Sequence, residues 1–131
     1  DWSSDVCSSD LTLNEMTKLI LGERSNTFLE FGQEEDADKS TFIVAKKTGE
    51  RFVGFQEPST RDYGVVLKIP NQRFPGHFFF VCAGLGDSGD SAAAWYLATK
   101  WWELQREFGE AFGLVLEVEI GSDESARRVF P

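Results

Sequence analysis

The chain has 131 residues, enough for one domain around a single core. Hydrophobic residues make up 41% and charged residues 27%, with twelve Phe and four Trp, a mix that excludes disorder and favours dense packing. The net charge of −9 excludes direct nucleic-acid binding, which needs a basic track, and no apolar run reaches the ~20 residues that span a bilayer, so no membrane partner is expected.

The first eleven residues, Asp1 to Leu11 (DWSSDVCSSDL), resemble the translation of a common DNA-sequencing adaptor. That resemblance implies a non-native segment followed by residues 12–131 as a single domain, the C-terminal fragment of a longer protein. Without the three aspartates of that segment the net charge moves from −9 to −6. Without Cys7, Cys82 stands alone in an apolar run and reads as a small core residue. No disulfide framework is available, and a reducing, cytoplasmic setting is expected.

Thr12-Leu13-Asn14-Glu15 has the pattern of a capping box, and Leu13, Met16 and Ile20 follow at helical spacing up to Gly22. Thr27 to Phe31 predicts a short strand. Gln33 to Lys39 is a charged loop whose four carboxylates, Glu34, Glu35, Asp36 and Asp38, lack the glycine and terminal glutamate of a calcium loop. No metal site is expected there. Thr41 to Phe55 reads as a hairpin turning at Lys47–Glu50, where Gly49 can take a positive φ.

Asp62 to Ile69 is a further strand, stopped by Pro70-Asn71. Phe74-Pro75-Gly76 is a turn, and His77 to Ala83 (HFFFVCA) has the continuous apolar character of a central strand covered on both faces. Ser88 to Phe108 predicts the main helix, with Leu97, Trp101, Leu104 and Phe108 on one face. Leu114 to Ile120 alternates like a half-exposed strand, and the polar tail from Gly121 onward reads as loosely held.

The most informative stretch joins the apolar strand to the helix: Gly84-Leu85-Gly86-Asp87-Ser88-Gly89, followed by Asp90 and Ser91. Its spacing matches G-x-G-x-x-G in a strand–turn–helix context, where amides at a helix N-terminus can meet an anion. Asp87 and Asp90 oppose a phosphate, and the acidic residue expected on a strand about 20 positions later is missing, the nearest strand carboxylates being Glu117 and Glu119, about 30 positions on. Asp87, Ser88 and Asp90 are equally good helix caps, so close packing with capping competes with a ligand site.

Gly86-Asp87-Ser88-Gly89 also resembles the GDSG around the nucleophile of trypsin-like proteases. The only histidine, His77, lies at the far end of the same strand, roughly 20 Å from Ser88, which excludes a triad. Asp90 in place of a glycine excludes a nucleophile elbow, and a P-loop would need Gly-Lys-Ser/Thr. Trp95 and Trp102, seven apart, share a second helix stripe that can cover a sheet edge or a protein partner.

Arg51-Phe52-Val53-Gly54-Phe55, Asp62-Tyr63-Gly64, Pro70-Asn71, the glycine turn and Ala92-Ala93 together resemble uncharacterised Rossmann-like C-terminal domains of bacterial regulator-type proteins. In that pattern a threonine follows the last turn glycine, where this chain has Asp90. The resemblance implies a sensing or regulatory module and carries over no catalytic residue.

The order of elements predicts an α/β fold: a mixed, mostly parallel sheet with a β-hairpin and flanking helices, Rossmann-like and truncated at the N-terminus. Its core would be a parallel βαβ unit running from His77–Ala83 through the helix to Leu114–Ile120. The expected function is a ligand-sensing or protein-interaction module of a bacterial cytoplasmic protein, without an assigned cofactor. Its candidate site is Gly84, Leu85, Gly86, Asp87, Ser88, Gly89, Asp90 and Ser91. The alternatives are an enzyme acting on a nucleotide or related small molecule, and a structural domain docking through Trp95 and Trp102.

Overall fold

The computed structural model describes residues 5–10, 19–34, 40–55 and 59–131, the first of these as a strand only. The capping box Thr12–Glu15, with Leu13 and Met16, lies outside the described residues, as does most of the acidic loop. Residues 19–21 are helical, and Ile20 is buried.

The described residues also form eight strands and one long helix: β1 (Asp5–Asp10), β2 (Leu29–Gln33), β3 (Thr41–Ala45), β4 (Arg51–Val53), β5 (Arg61–Pro70), β6 (Phe78–Gly84), α1 (Asp87–Phe108), β7 (Phe112–Glu119) and β8 (Ser122–Phe130). They form a five-stranded sheet in the order β1-β6-β5-β7-β8 and a three-stranded sheet in the order β2-β3-β4. The expected hairpin is present as β3–β4, with Ile43 opposite Phe52.

The expectation of a mostly parallel, Rossmann-like α/β sheet is wrong. Only β1 and β6 pair in parallel; every other described pair is antiparallel. β6 and β7 do run in the same direction with α1 between them, but β5 lies between the two strands and pairs antiparallel with both. The physical reason is connection length. Residues 71–77 join β5 to β6 through a tight turn in which Asn71 N–H donates to His77 O and His77 N–H to Phe74 O. So short a link cannot make a parallel crossover, which takes a dozen residues or more.

The same argument governs the chain end. Ile120-Gly121, with Gly121 at φ 84°, turns β7 back into β8, and the tail read as loose is the nine-residue edge strand. Its sequence, SDESARRVF, hides it. An edge strand with solvent on its outer side needs no apolar alternation, and two register shifts break its pairing with β7. β7 in turn is buried almost throughout, because it is an inner strand, and not half-exposed as its glutamates suggest.

The large sheet is covered on both faces. On one side Val65, Leu67, Ile69, Val81, Ala83 and Val115 meet Ile43, Leu29 and Phe52 of the small sheet. On the other, Val66, Phe80, Cys82, Leu114 and Leu116 meet Ala93, Tyr96, Leu97 and Leu104 of α1. The molecule is therefore three layers: helix, large sheet, small sheet. The predicted helix face holds, with Leu97 and Leu104 buried and Trp101 and Phe108 packed against the same cluster. Cys82 is buried in that cluster, as expected for a core thiol.

Among the described residues, no helix is long and apolar enough to cross a membrane.

Candidate functional site

At the end of β6 the backbone must pass over β5 and start α1 with no room for side chains. A Cβ on Gly89 would stand 2.1 Å from the Tyr63 carbonyl oxygen. One on Gly84 would stand 2.4 Å from Asp90 N. These two glycines are therefore consumed by close approach of helix to sheet, and Leu85 N–H donates to Tyr63 O at 3.0 Å to fasten the corner.

The helix start has an unusual cap. Gly86 is the N-cap and offers no side chain, so the expected capping by Asp87, Ser88 or Asp90 at that position does not occur. Asp62, at the start of β5, reaches across instead. Its Oδ2 accepts from Gly89 N–H at 2.7 Å and its Oδ1 from Tyr63 N–H at 2.8 Å. The carboxylate thus occupies the place where an exogenous anion would meet the helix N-terminus and its partial positive charge. Asp90 turns back, its Oδ1 accepting from Gly84 N–H at 2.7 Å. Phosphate binding of the dinucleotide type is excluded here by an internal anion.

Beside the corner lies a pocket of about 340 Å³, near the lower end of the roughly 300–1,000 Å³ of ligand sites. Leu85, Gly86, Asp87 and Ser88 form one wall, Thr41 of β3 with Gly54 and Phe55 just after β4 another, and Ser59, Arg61, Asp62 and Ile120 complete it. Of the eight predicted site residues, four therefore face this space. Gly84 and Gly89 are buried in the corner, Asp90 is bound to Gly84, and Ser91 Oγ donates to Asp123 on β8 at 2.8 Å.

The chain's sequence distribution conceals the other wall. Thr41, Gly54, Phe55, Arg61 and Asp62 lie up to 47 positions from Ser88, and only the packing of the small sheet on the large one brings them near. Asp62 alone carried a signal, a carboxylate near the start of a mainly apolar strand.

The pocket's electrostatics lean negative. Asp62 and Asp87 line it, while Arg61 donates its Nη1–H to Glu117, which also accepts from Arg127 at 3.1 Å. Phe55 stacks on Tyr63 with ring centroids 4.7 Å apart, and Phe52 meets the other side of Tyr63 edge-on at 5.7 Å. Burial pushes the Tyr63 phenol above its usual range, and the Glu117 carboxylate adds to the rise.

His77 is exposed just before β6 begins, its ring edge-on to Phe74, so no imidazole reaches Ser88 at the strand's other end. Among the described residues no group of three or more His, Cys, Asp or Glu is placed to hold a metal ion. Trp95 packs against the helix-side core, whereas Trp102 is 58% exposed, so the two do not present one outward stripe.

Comparison with protein-family models, with curated proteins and with solved structures gives no match.

Proposed function

We propose that this protein is a small-molecule-binding module of the sensing kind, taking its ligand in the pocket beside the glycine corner. The observation that carries the reading is convergence: the hydroxyl residues Thr41, Ser59 and Ser88, the acidic residues Asp62 and Asp87, and Phe55 all line one cavity built from three layers. Each layer contributes a wall, so a ligand there would couple the small sheet to the helix start.

The charge of the pocket selects the ligand class. Asp62 already compensates the helix N-terminus and Asp87 stands in its first turn, so a neutral or cationic polar ligand fits and a phosphorylated one is repelled. This moves the reading away from an enzyme acting on nucleotides. Of the polar residues in the glycine turn, Asp90 and Ser91 are bound to Gly84 and Asp123. The buried Cys82 thiol goes with a reducing, cytoplasmic setting.

The test is a melting-temperature screen of amines, amino acids, nucleosides and their phosphates, repeated on Ser88→Trp, which fills the cavity. A shift by a neutral or cationic compound that Ser88→Trp abolishes supports the proposal. Shifts by phosphates alone, or shifts that survive in Ser88→Trp, overturn it.

A further inference from the structure

A second cavity, of about 240 Å³, opens at the other end of the molecule, where the small sheet meets the C-terminal end of α1. Its walls are nearly all hydrocarbon: Phe28, Phe108, Phe112 and Phe130, with Ala111, Gly113 and Pro131. Among the described residues Lys47 carries the one charged side chain lining it, and its ammonium lies 5.6 Å from the centre of the Phe28 ring. From these features we propose that the cavity binds a compact apolar carboxylate, an aryl or short-chain acid, with its body among the four phenyl rings and its carboxylate at Lys47.

Three observations carry this. The walls are held in place before any ligand arrives. Phe28 N–H donates to Asn26 Oδ1 at 3.2 Å and Phe28 O accepts from Lys46 N–H at 2.9 Å, while Gly113 admits the Phe28 side chain where a Cβ would stand only 2.5 Å from it. Phe108 and Phe112 contact each other at 5.6 Å, and the Arg128 guanidinium lies over Phe108 at 5.3 Å. A rigid apolar cavity loses little entropy on filling.

The size fits one ring with a short acid arm, since a dry cavity of about 150 Å³ already accommodates benzene. The charge fits a single anion. Arg128 is held by both oxygens of Glu107, at 2.9 and 3.0 Å, and Lys46 Nζ donates to Asn26 O at 2.9 Å, so among the described residues Lys47 is the cationic side chain that lines the cavity. Glu110, beside Ala111, is exposed and does not line the cavity. The four rings supply apolar area, and the lysine distinguishes an acid from its uncharged analogue.

Phenylacetate and phenylacetamide are the probes, added to the ¹⁵N-labelled protein while backbone amide shifts are followed. Phenylacetate is expected to shift the amides of Phe28, Ala111 and Gly113 with a Kd in the millimolar range usual for about ten heavy atoms. Lys47→Gln, an exposed change that leaves the fold intact, should weaken phenylacetate about five-fold, the weight of one partly screened ion pair, and leave phenylacetamide unchanged. Ala111→Trp fills the cavity and should abolish both. The absence of any shift up to about 20 mM, equal binding of acid and amide, or phenylacetate binding indifferent to Lys47→Gln would each overturn the proposal. The Ser88 pocket reports separately, through the amides of Leu85 to Ser88.

Discussion

Alanine normally stabilises a helix where it replaces glycine, by about 1 kcal/mol. At Gly89 the opposite is expected. The added methyl would stand 2.1 Å from Tyr63 O, against an ordinary contact of 3.4 Å, so α1 must lift from β5 by about 1.3 Å. Such overpacking costs about 1–3 kcal/mol. The lift also stretches the 2.7 Å bond from Gly89 N–H to the Asp62 carboxylate, and a bond to a charged group is worth about 1.5–3 kcal/mol. The propensity gain cannot offset both, and Gly89→Ala is expected to lose at least about 1.5 kcal/mol. For a chain of this length that is a fall of about 5–8 °C in Tm or more. Urea unfolding followed by tryptophan fluorescence measures it. Gly109→Ala is the control, since φ is +75° there but nothing lies within 4 Å, so only the backbone cost of about 1 kcal/mol applies. A Gly89→Ala protein as stable as wild type, or one losing no more than Gly109→Ala, refutes the close-packed corner.

Three other outcomes follow from the same geometry. Asp62→Asn keeps the shape but removes the charge that caps α1, and should lose about 1–2 kcal/mol in urea unfolding, with amide exchange rising first at Gly89; exchange unchanged there would show that another group caps the helix. Lys68 is buried on β5, with its ammonium 4.4 Å over Phe78, and burial lowers its pKa from 10.5. The unfolded chain then binds more protons between the lowered value and 10.5, so wild-type stability relative to Lys68→Met should rise with pH through that window and stay level below it. A difference independent of pH up to 10.5 would contradict the burial of the amine. Leu104→Ala, at a site 2% exposed, should cost about 2–5 kcal/mol, whereas Trp102→Ala, at one 58% exposed, should stay within about 0.5 kcal/mol of wild type; comparable losses would mean that the helix face has been assigned the wrong way round.

Local patterns were enough to find the strands with apolar character, the hairpin and the helix. The β5, β6 and α1 segments are found within one or two residues of their apolar runs, because burial on both sides of a sheet leaves a continuous signature. β8 left none, since an edge strand carries no such burden. Strand direction was legible only in part. The seven residues between β5 and β6 already preclude a parallel crossover, yet the strand–glycine–helix pattern alone suggests a parallel neighbour. That β5 inserts between β6 and β7 is a matter of long-range pairing, which no local spacing encodes.

The glycine corner shows the same division. Its sequence determined that backbone, helix and sheet meet without side chains, because only glycine permits approaches near 2 Å from a missing Cβ. The sequence also determined a charge too acidic for a phosphate to be welcome. Only the tertiary structure decided which carboxylate caps the helix. Asp62 is 27 positions from the amide it serves, and the pairing of β5 with β6 places it there. Only the tertiary structure, likewise, set Thr41 of the small sheet and Phe55 just beyond it opposite Ser88 of the helix and left a cavity between them. Spacing along a chain reports what neighbours in sequence can do together, whereas a pocket is made by residues whose meeting depends on the whole fold.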